Sequence, residues 1–357
     1  MTDQPSTAPR STRRRAPRPR GRRVLRIVLL TLALLVIAAA GTGWWAYSHL
    51  NGNIDSVDLD QAIGVDNRPA KVVAGAQNVL VLGSDSRAGA NGELDHGDVS
   101  GARSDTAMLV HIPEGRKKAT AVSIPRDTLV TRPECKDADG KTVKTANRVM
   151  FNSVYSLAGP ACVVKTVEQM SGVRVDHFVE VDFAGFKGLV DALGGVSVTI
   201  DKPINGGSGG LKLEPGTHRL DGTESLKFVR TRYGYGDGSD LGRIGLQQTF
   251  MMAMLSEIKK QDALGNPARL YKLADAGTKS LTTDSELGSL KGLSDFAQSM
   301  KGVDPDTMET IMLPVAYDKV DRNRVIAAEP QAGQLWEALR NDQAIPAAAK
   351  KSPATGG

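Results

Sequence analysis

The sequence predicts an α/β fold: a three-layer α-β-α sandwich around a mixed sheet, preceded by a single transmembrane helix. Apolar runs of strand length at residues 78–82, 106–112 and 120–124 lie close together. The last two flank Pro113-Glu114-Gly115-Arg116-Lys117-Lys118, a turn-forming stretch that makes them a hairpin. Strand-like runs at 177–182 and 196–200 then alternate with helix-like segments at 151–156, 161–170 and 183–193, the pattern of layered α/β domains. Near the N-terminus, residues 27–47 form 21 positions without a charge, enough to cross a bilayer core of roughly 30 Å at about 1.5 Å per residue.

In chain order, residues 1–26 form a basic tail with nine Arg and one Asp. The whole chain is +5, so a tail of +8 leaves about −3 for the rest. Such a tail invites a nucleic-acid reading. Its position directly before the apolar run explains it by topology instead, and no nucleic-acid partner is expected. Arginines at the near end and Trp44, Trp45 and Tyr47 at the far end orient the span with the N-terminus cytoplasmic and the remainder outside. A cleaved signal peptide is the rival reading, but the run exceeds the usual h-region and Trp44-Trp45 disfavours cleavage nearby.

Residues 48–76 read as an extracytoplasmic stalk. Residues 77–260 read as the catalytic core, 261–340 as a C-terminal part completing the same domain, and 341–357 as a disordered tail. Asp221-Gly222-Thr223-Glu224 reads as a capping box opening a helix that runs to about Arg232. A second helix spans residues 244–258, its methionines read as core. A further strand lies near residues 310–315.

Two cysteines, Cys135 and Cys162, fall on the outer side, 27 residues apart. An even count in an oxidising compartment suggests one disulfide, two separate buried thiols being the alternative. No Cys/His spacing supports zinc. Gly206-Gly207-Ser208-Gly209-Gly210 matches G-x-S-x-G formally, yet near-pure Gly/Ser is no strand–turn–helix elbow.

The chemistry gathers at the edges of the elements. Gly83-Ser84-Asp85-Ser86-Arg87 closes one strand and Arg103-Ser104-Asp105-Thr106 opens the next. If these strands pair, Asp85 and Asp105 converge at one sheet edge, a donor set suited to a divalent cation beside phosphate oxygens. Arg126-Asp127 follows another strand, Asn152 and Tyr155 sit in Phe151-Asn152-Ser153-Val154-Tyr155, Arg230 and Arg232 end a helix, and Arg243 and Gln247 stand four apart on one helix face. Six arginines (Arg87, Arg103, Arg126, Arg230, Arg232 and Arg243) around two aspartates call for a strongly anionic ligand such as a pyrophosphate. Phe178, Val181, Phe183, Phe186, Leu189 and Val190 either line an apolar tunnel for a lipid chain or serve as plain core.

On these pieces the chain resembles the LytR-CpsA-Psr family. They are GSDSR, RSDTAMLVHI, SIPRDT, FNSVY, HFVEVDFAGFKGLVDALGGV and LDGTESLKFVRTRY followed by DLGRIGLQQ, behind a basic tail and single anchor. The resemblance implies an extracytoplasmic, Mg2+-dependent phosphotransferase. It would move an anionic glycopolymer from an undecaprenyl-pyrophosphate carrier to a peptidoglycan hydroxyl, in the cell membrane of a Gram-positive bacterium. It implies Asp85 and Asp105 as the metal ligands and Arg103, Arg126, Arg230 and Arg232 as the pyrophosphate clamp, completed by Arg243 and Gln247. Asp240 and Asp127 match further acidic positions, and Arg87 adjoins the site. Where the family often has Lys before an Ile-Asn pair, this chain has Met150-Phe151-Asn152, so one head-group contact is either missing or supplied by Arg148. Rival functions are hydrolysis of the prenyl pyrophosphate and a non-catalytic, membrane-anchored regulator of envelope synthesis.

Overall fold

The computed structural model describes residues 20–84, 104–116, 118–137, 139–206, 210–231, 240–260, 267–279, 281–300 and 302–355; the side chains of 20–24, 104, 105, 240, 241, 267–269 and 355 are outside that description. The chain divides into two compact units, Met1–His49 and Leu50–Gly357. The first holds most of helix α1 (Arg20–Asn51). Its Leu25–Asn51 segment is long and apolar enough to span a membrane.

The second unit begins with β1 (Asp55–Val57), α2 (Leu59–Ile63), β2 (Gln77–Ser84), β3 (Ser104–Ile112), β4 (Thr120–Ser123), β5 (Leu129–Arg132), β6 (Cys135–Lys136), β7 (Thr142–Val143) and β8 (Ala146–Met150). There follow α3 (Phe151–Ser171), β9 (His177–Asp182), α4 (Phe183–Ala192), β10 (Val196–Ile200), β11 (Ile204–Asn205), β12 (Lys212–Leu213), β13 (Gly216–Leu220), α5 (Gly222–Arg230) and α6 (Asp240–Lys260). The C-terminal part is α7 (Pro267–Thr278), β14 (Leu281–Asp284), α8 (Leu290–Ser299), β15 (Glu309–Met312), β16 (Val315–Tyr317), β17 (Val325–Ala327) and α9 (Gln331–Arg340). A seven-stranded sheet runs β1-β14-β9-β2-β3-β4-β15. It is mixed: β2 is antiparallel to β3 and parallel to β9, and β4 is antiparallel to β3 and parallel to β15.

Period-two alternation in β2 explains the layers. Leu80 and Leu82, with Leu109, Val122 and Phe178, pack into one core beneath α3 and α9. Val79 and Val81, with Val110 and Val179, pack on the other face against Phe296 and Met300. A separate cluster joins Val190 of α4, Val196 and Val198 of β10, Phe228 of α5, and Leu246 and Phe250 of α6.

The stalk expectation is corrected. β1 pairs with β14 in the main sheet, and Leu59 and Ile63 are buried, so residues 55–63 belong to the domain. The tail is corrected too. Ala349 is fully buried, and the Ser352 hydroxyl accepts from the Val315 N–H (3.1 Å) and donates to its carbonyl (2.9 Å). The expected helices at 151–156 and 161–170 are two arms of α3, broken at Ala158-Gly159-Pro160. Gly159 takes a left-handed φ of 70° there, and Pro160 lacks the N–H needed to continue the ladder.

Cys135 and Cys162 form a disulfide, Cα–Cα 5.7 Å, tying β6 to α3. Replacing both by Ser is expected to remove ~3–4 kcal/mol of stability in the chain-entropy account, read as a lower denaturation midpoint against the oxidised parent.

His177 at the start of β9 is buried 3.3 Å from the Asp284 carboxylate and stacks edge-on against Phe296. Burial alone would lower its pKa, but the Asp284 hydrogen bond and charge, with Glu286 and Asp176, raise it above its ordinary value. The charged imidazolium therefore stabilises the fold in full below the unfolded-state pKa of about 6.5, and this is lost as pH rises through the raised folded value. Thermal unfolding across that window should weaken more steeply for the parent than for His177→Gln; parallel pH profiles would contradict this.

Candidate functional site

The site lies where β2 runs out and β3 begins. The two strands pair regularly up to Gly83 with Thr106, then shift register, so that Ser84 faces Ser104 and Asp105 is the extra residue of the bulge. Ser84 immediately precedes Asp85 and Ser104 precedes Asp105, so the strand pairing expected from the sequence is present up to the residues before the two candidate metal ligands. Asp85, Arg87, Arg103 and Arg232 themselves, and the side chains of Asp105 and Asp240, lie outside the described residues. Among the described residues no group of three His, Cys, Asp or Glu suits a metal ion.

Beside this edge opens a cavity of about 600 Å3, lined by Thr106, Phe183, Leu226, Val229, Arg230, Arg243 and Gln247 together with the Gly206 and Gly210–Leu211 backbone region. Two helices position its polar groups. α5 starts with the predicted capping box: the Asp221 carboxylate accepts from the Glu224 N–H (2.8 Å) and Glu224 accepts from the Asp221 N–H (3.2 Å). Gly222 at its first position donates to Asp191 of α4 (2.8 Å), and a Cβ there would meet the Lys187 carbonyl at 2.4 Å. Only glycine lets α5 sit this close to α4. The helix ends at Arg230, and Thr231 turns extended at φ −62°, ψ 123°. That end places the Arg230 guanidinium 4.7 Å from the centre of the Phe183 ring, a cation–π contact. Leu226, Val229 and Arg230 stand at helical i, i+3, i+4 spacing, which explains why one face of α5 meets the cavity. That spacing was the available signal for Leu226 and Val229, which sequence reasoning missed.

On α6, Arg243 and Gln247 are both buried at the same cavity, four residues apart as expected. The Gln247 amide donates to the Val229 carbonyl (3.2 Å), locking α6 to α5. The next residue, Gln248, donates to the Ser123 hydroxyl at the end of β4 (3.0 Å). This contact ties the cavity's wall to the turn carrying Arg126 and Asp127. There the Arg126 Nε stands 3.5 Å from the Asp127 carboxylate, and Arg324, just before β17, reaches the same carboxylate at 3.4 Å. Arg324 is 197 residues from Asp127 in sequence, with no motif to mark it. Arg148 is drawn away to the buried Asp318 (2.9 Å).

Between the β2 edge and the Arg126 turn sits the first arm of α3. The Asn152 N–H donates to the Arg126 carbonyl (3.1 Å). Tyr155 accepts from the Ser84 hydroxyl (3.3 Å) and donates to the buried Glu180 carboxylate of β9. Burial pushes the Glu180 carboxyl above its ordinary pKa, the Tyr155 and Ser84 hydrogen bonds oppose this, and Asp182 adds to it.

The six proposed tunnel residues separate. Phe183 lines the cavity, Phe186 packs partly buried against the α4–α6 cluster, and half-buried Val181 of β9 is not among the lining residues. Phe178 and Val190 are fully buried core, and half-buried Leu189 is not among the lining residues. The reason is geometric: β9 is an interior strand, so its Phe178 points into the α3 core, while the cavity is walled by α5 and α6.

A model of the LytR_cpsA_psr family matches residues 46–341. The chain belongs to the LytR-CpsA-Psr family. It is 33% identical over 305 residues to a Bacillus subtilis protein named polyisoprenyl-teichoic acid–peptidoglycan teichoic acid transferase TagT, covering 83% of this chain and 88% of that one. It is 31% identical over 288 residues to the cell wall biosynthesis protein LcpA of Corynebacterium glutamicum, covering 74% of this chain. The match spans about half of LcpA, 55% of its length. Among solved structures, TagT bound to LIIa-WTA superposes with a TM-score of 0.59 at 25% identity, covering 79% of this chain and 98% of that one. The mixed-sheet α/β fold is that of this family.

Proposed function

We propose that this LytR-CpsA-Psr protein transfers an anionic glycopolymer from an undecaprenyl-pyrophosphate carrier to a sugar hydroxyl of peptidoglycan, leaving a phosphodiester. The observation that carries the reading is the cavity's dual character. Phe183, Leu211, Leu226 and Val229 present apolar surface in the same space that holds Arg230, Arg243 and Gln247. An amphiphile with a prenyl chain and a pyrophosphate head matches both parts, whereas a free sugar phosphate leaves the apolar wall unused. The name of TagT supports a teichoic-acid-type polymer and the peptidoglycan acceptor, and that of LcpA a role in cell wall biosynthesis.

In the reaction, the acceptor hydroxyl oxygen attacks the phosphorus bearing the glycopolymer. The bond from that phosphorus to the bridging oxygen breaks, prenyl phosphate leaves with the bond's electrons, and the hydroxyl proton is released. Arg230 and Arg243 stabilise the charge that builds on the phosphoryl oxygens. Asp85 and Asp105, hard oxygen donors flanking the Ser84–Ser104 pair, would hold Mg2+. When bound it would add Lewis-acid stabilisation of the same phosphoryl oxygens. The apolar Leu25–Asn51 segment of α1 would anchor the chain, with the arginine-rich end cytoplasmic and the domain outside.

Full-length protein in lipid nanodiscs, given labelled prenyl-pyrophosphate glycopolymer and peptidoglycan, should yield label covalently attached to the glycan together with prenyl phosphate. Prenyl phosphate and free polymer phosphate with no glycan-linked label would instead show a hydrolase.

A further inference from the structure

Arg324 lies outside every sequence segment that carries the site, yet the fold delivers it there. It ends the turn between β16 and β17, and its backbone is pinned on both sides. The Arg324 N–H donates to the Asp321 carbonyl (2.9 Å), and the Asp318 N–H donates to the Arg324 carbonyl (2.9 Å). The next residue, Val325, donates its N–H to the Asp127 carbonyl (3.3 Å) and forms a parallel bridge with Thr128. That register sets Arg324 beside Asp127 through the backbone alone. Its side chain then lines a second cavity, of about 380 Å3, with Arg126, Asp127 and the uncharged Met150, Asn152, Ser153 and Ser156.

The charges lining this space do not balance. Two guanidinium groups face one carboxylate, with Arg126 Nε at 3.5 Å and Arg324 Nη1 at 3.4 Å from Asp127, so one positive charge is in excess. Arg324 is also held at long range. Its other polar contacts are the Asn323 carbonyl at 3.3 Å and the Asp321 carboxylate at 3.8 Å. All three distances exceed the ~2.7–2.9 Å of a charge-assisted N–H···O bond. Arg148, by contrast, is committed to Asp318 at 2.9 Å. A guanidinium with a fixed backbone and only long contacts can close on an anion that presents two oxygens to its planar fork, as a phosphate does. We propose that Arg324 is a phosphate-binding residue of the donor site, contacting oxygens of the carrier's pyrophosphate head beside Arg126. The proposal rests on the transfer reading for the identity of that anion. The Gln248–Ser123 contact, three residues before Arg126, sets the wall of the larger cavity against the turn that opens this one.

The rival role is bracing, in which Arg324 holds Asp127, Asp127 holds Arg126, and Arg324 never meets the ligand. A double-mutant cycle separates the two, using full-length protein in nanodiscs and unsubstituted prenyl pyrophosphate as the probe. Arg324→Gln should weaken binding ~10-fold at low salt, the loss of one charge-assisted contact. The side chain is 30% exposed, so the variant should fold, and the deficit should shrink as salt is raised. Made on top of Asp127→Asn, Arg324→Gln should cost the same further ~10-fold, because a guanidinium that touches phosphate acts without the carboxylate. Unchanged affinity in Arg324→Gln would overturn the proposal. So would the absence of a further loss in the Asp127→Asn background, which is the signature of bracing. A loss confined to a polymer-bearing donor would overturn it as well, since Arg324 would then read the polymer. Failure of the transfer reading shows differently, as a parent that binds prenyl pyrophosphate but yields no glycan-linked product.

Discussion

Asp105→Ala is expected to lower Mg2+-dependent transfer by at least ~10^3-fold, and Asp85→Ala to do the same. The expected loss is about 4 kcal/mol of transition-state stabilisation, the order a Lewis-acid cation supplies to a phosphoryl group. Both residues follow directly on the Ser84–Ser104 pair, where the β2–β3 ladder breaks register. Carboxylates at a strand end seldom carry core packing, so the fold is expected to survive either truncation. Chelation of the parent should reproduce the loss, and added Mg2+ should restore the parent but not the variants. The informative measurement is transfer rate against free Mg2+, with circular dichroism as a fold control. A variant that kept parental transfer at limiting Mg2+ would remove that aspartate from the ligand set.

Much of this site was legible in the chain because its signals are local. The capping box at Asp221–Glu224, the four-residue spacing of Arg243 and Gln247, and strands at 177–182 and 196–200 all rest on contacts within one element or between sequence neighbours. What was not legible depends on distant pairings. Residues 55–57 look like a polar stalk because three residues carry no usable periodicity, and only the parallel pairing with β14, over 220 residues later, makes them a strand. The C-terminal residues read as disordered by composition, yet Ser352 is fixed by both backbone groups of Val315. Arg324 reaches Asp127 only because β17 returns beside Thr128. Phe178 and Phe183 are both aromatic and five residues apart, but one sits on an interior strand and the other begins a helix. Hydrophobicity alone does not tell core from cavity wall.

Arg230→Lys separates a phosphate clamp from a surface charge. Arg230 is the last helical residue of α5, and the chain turns extended at Thr231. Two arginines at i and i+2 on a continuing helix would point about 200° apart, so a clamp built from Arg230 and Arg232 requires a helix that ends here. Arg230 stands over the Phe183 ring at 4.7 Å on the wall of the larger cavity. Lysine preserves the charge but loses the planar fork and the stacking face. Losing a charge-assisted bidentate contact costs ~1.5–3 kcal/mol, so transfer should fall roughly 10- to 100-fold. Prenyl-pyrophosphate affinity should fall with it, because the same contact holds the ground-state head group. Unfolding stability should stay within ~0.5 kcal/mol, the usual range for a substitution that removes no core packing. If Arg230 were merely a surface cation beside an aromatic ring, lysine would serve nearly as well in all three measurements. Parental transfer and parental pyrophosphate affinity in Arg230→Lys would therefore exclude the clamp, whatever the variant's stability.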